Sequence, residues 1–265
     1  MIIKKLAVAI MAATVAACAT PAYQIENPSC GPQAAYPKFG RDGHQDTTYV
    51  VAILAGRSAS DAAQLAFYNQ AADDVWLRFS APPLTFWGSV TDLGYRHRII
   101  GVLHSLHGGD VEAVAQRRRA LSSAIRDASR DDPDYFWTTG LTIHALGDSF
   151  AHTRTDGSAY GELYGHAFDG HAPDTIGLRP ELYILYVETL FDALALSPTQ
   201  DRSALNAYVD EIRTLGAADP DRYTHAIRSA RAALDPGPVL DCRALAGRLT
   251  MDEVSAHLRW LETRF

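Results

Sequence analysis

The sequence predicts an all-α fold built as a single helical bundle, on three observations. Apolar residues recur at helical spacing from about residue 44 to the C-terminus. No segment sustains the apolar–polar alternation of a half-buried strand. Ser and Asp caps and Gly or Pro breaks separate the periodic stretches as helix starts and stops do. With 265 residues, 47% of them hydrophobic, the chain can bury a substantial core yet is too short for two large domains.

The N-terminal stretch stands outside that fold. Residues 1–17 open on Lys4 and Lys5, run through apolar residues from Leu6 to Ala17 and finish on small ones. This is the plan of an export signal, and the run is too short to span a bilayer. Its closing "VAAC" resembles a bacterial lipobox, which makes Cys18 the expected lipidated first residue of the mature protein. The expected location is the bacterial cell envelope, lipid-anchored at the outer membrane and facing the periplasm or the exterior, with the membrane as a partner. Cys30 and Cys242 then remain, and an even pair in an exported chain predicts one disulfide. Residues 18–43, rich in Pro, Gly and polar side chains, read as a tether or irregular arm, and 44–265 as the all-α domain.

Within that domain, "TTYVVAILAG" and "SASDAAQLAFYNQAADDVWLRF" are two helices split at Gly56–Arg57–Ser58, the second opening on a Ser or Asp cap. "PPLTFWGSV" is a loop. "YRHRIIGVLHSLHGG" follows, stopped by Gly108 and Gly109, and Asp110 caps "VEAVAQRRRALSSAIRDASR". "DDPDYFWTTGLTIHALGDSFAHTR" is the next helix, with Pro133 in its first turn. Residues 155–178 are Gly-rich and irregular, a length of loop that in a compact domain is usually functional or disordered. Four helices close the chain, at 180–196, 201–215, 219–234 and 250–264, with Pro236 and Pro238 in the break before the last.

The formal charge of −7 argues against a broad basic footprint for duplex nucleic acid. It leaves room for a small phosphate substrate, because a bound cation reverses the local sign.

The chemistry concentrates in "HALGDSFAH". His144, Asp148 and His152 lie at i, i+4 and i+8, so each step drifts only about 40° around the helix. One stripe thus carries imidazole, carboxylate and imidazole. A His–Asp pair at this spacing also serves as an exposed ion pair, but the apolar neighbours imply burial, and buried polar groups need partners. His166, His171 and Asp174 follow in the next loop, and metal ligands there would hold it. Upstream, His44, Asp73, Asp74, His97 and His104 are further candidate ligands, more than one closed structural site needs. Arg154, directly after the stripe, is suited to clamp a phosphate.

The "HALGDSFAH" element, with "GHAFDGHAPD" behind it and His44 and Asp73–Asp74 ahead, resembles the zinc-dependent phospholipase C and single-strand nuclease superfamily over residues 44–175. The resemblance implies a helical bundle of that type holding up to three zinc ions. His44 matches the early-helix ligand, Asp73 or Asp74 the carboxylate after the second helix, and His104, with His97 as alternative, the mid-chain histidine. His144 and Asp148 match the HxxxD pair, Asp148 bridging two metals. The pattern departs from the family in three places, the first being that an acylated Cys18 would stand where well-known members use the free amine and carbonyl of an N-terminal tryptophan. His152 follows Asp148 at four residues where the enzymes place a histidine at six, and the final His-x-x-x-Glu or Asp element is missing. Two zinc ions are therefore the expected complement. The implied function is hydrolysis of a phosphate ester, phospholipid or nucleotide, with Asp73 or Asp74 orienting the water. The competing expectation is a non-catalytic zinc-binding lipoprotein with a structural or partner-docking role.

Overall fold

The computed structural model describes residues 42–73, 79, 92–162, 173, 175–216 and 220–265. Among them the secondary structure is helical throughout, apart from one isolated bridge between Thr153 and Ala159. The elements are a π-helical turn at Asp42–Asp46 running into α1 (Thr47–Leu54), α2 (Ala59–Ala71), α3 (Leu93–His97), α4 (Val111–Asp127) and α5 (Tyr135–Ala151). After a 3₁₀ turn at Ile176–Leu178 come α6 (Pro180–Leu194), α7 (Ser203–Thr214), α8 (Pro220–Ala232), α9 (Cys242–Ala246) and α10 (Met251–Glu262). The expected signal segment, Cys18 and Cys30 lie outside the described residues. Cys242 is disulfide-bonded, in keeping with the expected bridge.

The caps expected at Ser58 and Asp110 form, and Thr250 adds a third. Ser58 accepts a hydrogen bond from Asp61 N, Asp110 from Ala113 N and Thr250 from Glu253 N, satisfying otherwise orphaned donors of the first turns. α5 starts later than the sequence suggests: Asp134 sits at its cap position and Pro133 in the turn before it. α9, too short for periodicity to reveal, is additional.

α5 is the axis of the bundle. Nearly all its residues are buried, and it packs on α2, α4 and α6. A helix apolar all round belongs inside a protein. Its closest approach is to α2 at Gly140, where an added Cβ would stand 2.4 Å from Tyr68 Cβ. That crossing matters for the site, because α2 and α5 each carry part of it.

The segment after α3 departs from the expected plain helix. From Arg98 to Leu103 the winding is π-helical, and His104 N donates to Ile99 O, five residues back. Ser105 then adopts φ +51°, the left-handed region, which non-glycine residues enter at a cost. Ser105 Oγ donating to Ala145 O, at 2.8 Å, helps hold that conformation. π-turns and left-handed non-glycine residues recur at functional sites.

Candidate metal centre

Five sequence-predicted ligands converge in one place: His44 from the first π turn, Asp73 just past α2, His104 at the end of the second π turn, and His144 and Asp148 from α5. Two triads describe the cluster, His44–Asp73–His144 and His104–His144–Asp148, each with its ligand atoms mutually within 4.8 Å. All but Asp73 are buried, and Asp73, at 34% exposure, forms the accessible edge.

The hydrogen bonds fix which nitrogen of each ring faces inward. His104 Nε2 lies 2.7 Å from Phe79 O, an acceptor only, so Nε2 carries the proton and Nδ1 presents a lone pair. His144 Nδ1 lies 3.0 Å from Asn69 O and 3.1 Å from Asn69 Oδ1, so its proton is there and Nε2 is bare. These two bare nitrogens stand 3.1 Å apart, and Asp148 Oδ2 is 3.0 Å from the first and 3.2 Å from the second. Three electron-rich atoms cannot face one another at this spacing without a cation among them, either a proton or a metal ion. Ligand bonds of about 2.05 Å at tetrahedral angles put ligand atoms about 3.3 Å apart, close to the separations observed here. The donor set fits an ion.

His44 stands on the other side of the two carboxylates. Its Nε2 is 3.3 Å from Asp148 Oδ1 and 3.6 Å from Asp73 Oδ2. Asp73 Oδ1, by contrast, is 4.0 Å from His104 Nδ1 and 3.9 Å from His144 Nε2. Both carboxylates therefore divide in the same sense, one oxygen toward His104 and His144 and the other toward His44. The His44 and His144 rings stack at 4.2 Å.

The electrostatics follow. Burial opposes charge on Asp148, but the neighbouring His144 and His152, with His104 at contact distance, hold its carboxyl well below the usual range. Burial dominates at His144 and lowers its pKa. Burial opposes the charge of His44 too, yet the Asp148 hydrogen bond and the Asp73 and Asp148 charges together raise its pKa.

Asn69, which the sequence reading passed over, is the support of the cluster. Fully buried, its Nδ2 donates to His44 O (3.2 Å) and Thr48 Oγ1 (2.6 Å) while Oδ1 accepts from His144. The signal was present: an asparagine amid the apolar residues of a helix is out of place unless its amide has work. The Phe79 carbonyl and Ser105 left no comparable trace.

The remaining predicted residues fall in three groups. His152 adjoins the cluster, but its Nδ1 donates to His104 O at 2.7 Å, so it braces the peptide that carries His104. His97 is elsewhere, between Glu162 and Glu262 Oε1, the latter at 3.0 Å. Seven residues apart, His97 and His104 would share a face of a continuous α-helix, and the wider winding from Arg98 separates them. Arg154 is exposed, with its guanidinium over the Tyr160 ring at 4.9 Å, beside a different pocket. Asp74, His166, His171 and Asp174 lie outside the described residues.

No family model, curated protein or solved structure matches this chain. Among the described residues, no helix is long and apolar enough to cross a membrane. The fold and site define an all-helical domain with a buried His/Asp group able to hold a metal ion.

Proposed function

We propose that this protein is a zinc-dependent phosphoric ester hydrolase, exported and anchored by lipid at Cys18, acting on a phospholipid or nucleotide ester. The observation that carries the metal part is the shared division of the two carboxylates. Asp148 Oδ2 and Asp73 Oδ1 face His104 and His144, while Asp148 Oδ1 and Asp73 Oδ2 face His44. Such a division suits two ions bridged by carboxylates. His144 has a single inward nitrogen and serves one ion, which its shorter contacts assign to the side of His104. Three imidazoles with carboxylate oxygens suit zinc.

Held by His44, Asp73, His104, His144 and Asp148, two zinc ions would supply a water of lowered pKa and positive charge to offset that on a phosphodiester's oxygens. The chain's own residues supply the rest. Asn69 and the Phe79 carbonyl keep the ring protons of His144 and His104 turned away from the centre. Burial on the protein side leaves entry at Asp73, whose partly exposed carboxylate is positioned to orient a water. The ester class rests on the superfamily resemblance.

The burial of His104, His144 and Asp148, each at or below 3% exposure, favours a second reading, a closed structural zinc. One experiment separates the two. Zinc per chain is measured by elemental analysis after chelation and reconstitution, beside Asp148→Asn, with bis(p-nitrophenyl) phosphate and a phospholipid as substrates. Two zincs, a sharp fall in Asp148→Asn and ester turnover support the hydrolase. One zinc with no turnover supports the structural site, and no zinc removes both readings.

A further inference from the structure

A second cavity, of about 480 Å³, lies between α4, the turn after α5 and the start of α6. It is within the usual size range of small-molecule sites. Its walls are mainly aliphatic, from Val111, Val114, Ala115, Leu178, Pro180 and Leu182, and Val111 and Leu178 stand 58% and 53% exposed at its rim. Three guanidinium groups line it, from Arg118, Arg154 and Arg179, against the single carboxylate of Glu181. None of the three is in an ion pair among the described residues. The nearby Asp156, to which Ser158 N and Oγ donate at 2.9 and 2.7 Å, feels the charge of Arg154 without a direct ion pair to it.

Arg118 is the least expected of these. It lies half-buried over the Phe150 ring, donates to Ser149 O and Thr153 Oγ1 at 2.8 Å, and burial lowers its pKa to about 10. A desolvated cation normally has a carboxylate against it, because an unpaired buried charge is costly. In a chain of net charge −7, three arginines around an aliphatic slot, two of them half-buried, form a local exception with its own chemistry.

We infer that this cavity binds a single-chain anionic amphiphile of the fatty-acid class, its carboxylate among Arg118, Arg154 and Arg179 and its hydrocarbon chain along Val114, Ala115 and Leu182. The cavity is larger than an inorganic anion fills, and its walls offer little to a polar ligand beyond the arginines. The geometry does not depend on the metal centre. Arg118 is held by Ser149 O and Thr153 Oγ1, neither of which is a ligand atom of the cluster.

The test is calorimetric titration of the purified protein with decanoate, with decanol and inorganic phosphate as comparisons, before and after chelation by EDTA. The expected result is one saturable decanoate site, indifferent to EDTA, with both comparisons at least about tenfold weaker. Arg154→Glu, at an exposed position, and Ala115→Phe, which fills the slot, should each weaken decanoate at least about tenfold. Decanoate binding that neither substitution alters overturns the assignment, as does the absence of saturable binding. Loss on chelation would place the carboxylate at the metal centre and overturn it equally. Phosphate binding as tightly as decanoate would leave a plain anion site and overturn the amphiphile.

Discussion

Replacing Gly140 with alanine tests whether the α2–α5 crossing sets the metal centre. In an exposed helix the substitution is stabilising by about 1 kcal/mol, since glycine is the poorer helix former. Here the new Cβ would stand 2.4 Å from Tyr68 Cβ, and 3.2 Å from both Asn69 N and Leu65 O. The obstacle is a Cβ fixed to the backbone, not the end of a flexible side chain. Restoring ordinary contact at about 3.4 Å requires the helices to part by about 1 Å, and overpacking of this kind costs about 1–3 kcal/mol. With the contact as short as 2.4 Å the steric cost wins, for a net loss of up to about 2 kcal/mol and a fall in Tm of a few degrees. The same opening carries Asp73 and Asn69 away from His144, widening the 3.9 Å Asp73–His144 contact and the 3.1 Å Asn69–His144 bond. Zinc affinity should fall about 10–100-fold, as when a ligand's supporting contacts are removed. Thermal unfolding with and without zinc reads both effects: a lower Tm and a smaller increment on adding zinc. A variant with raised Tm and unchanged zinc affinity would refute the reasoning.

Other perturbations have equally definite outcomes. Asn69→Ala leaves His44 O and Thr48 Oγ1 without their buried donor, so urea denaturation should show a loss of about 2–4 kcal/mol and zinc titration a fall of about 10–100-fold; equal zinc affinity would deny Asn69 its supporting role. Chelation should lower stability by about 4 kcal/mol relative to protein holding zinc at a thousand times Kd, and identical melting curves would argue against metal binding to the native state. Burial lowers His257 to about 4 from 6.5, and burial together with Arg117 does the same at His107. Both are held neutral in the fold while the unfolded chain takes up protons, so stability is full above about pH 6.5 and falls toward pH 4, by about 3 kcal/mol for His257 alone. His257→Gln, which keeps a donor for Thr142, should flatten that slope in acid denaturation; an unchanged slope would show that His257 does not titrate this way.

The helices were legible because their caps and apolar spacing are local properties. Ser58, Asp110 and Thr250 announce their roles within four residues of where they act. The His144–Asp148 pair was legible for the same reason, since both residues occupy one stripe of one helix. What stayed hidden depended on how elements meet. His97 and His104 looked interchangeable because a continuous helix would align them, and the π winding that separates them has no residue signature in "RIIGVLH". The Phe79 carbonyl turns the His104 ring through a backbone atom, which no side-chain pattern can reveal. Gly140 carries no signal within its own helix, and only the packing of α2 against it shows what a Cβ there would meet.

The last two turns of α5 explain why two chemistries of opposite charge can sit so close together. Its His144–Asp148 pair, with His104 Nδ1 against it, gathers bare nitrogens and carboxylate oxygens, an environment that demands a cation. At the end of α5 and just beyond it, Ser149 O, Thr153 Oγ1 and Thr153 O accept hydrogen bonds from Arg118 and Arg179, and so fix cations in place. Were the guanidinium groups at the cluster, they would neutralise Asp148 and compete with any metal. Were the carboxylate beside the arginines, the aliphatic slot would lose its affinity for anions. Different atoms of neighbouring residues keep the two apart: inward side chains serve the cluster, while Ser149 O, Thr153 O and Thr153 Oγ1 serve the arginines. A substitution that rewinds the end of α5 should therefore disturb both sites, whereas one confined to either set should leave the other intact.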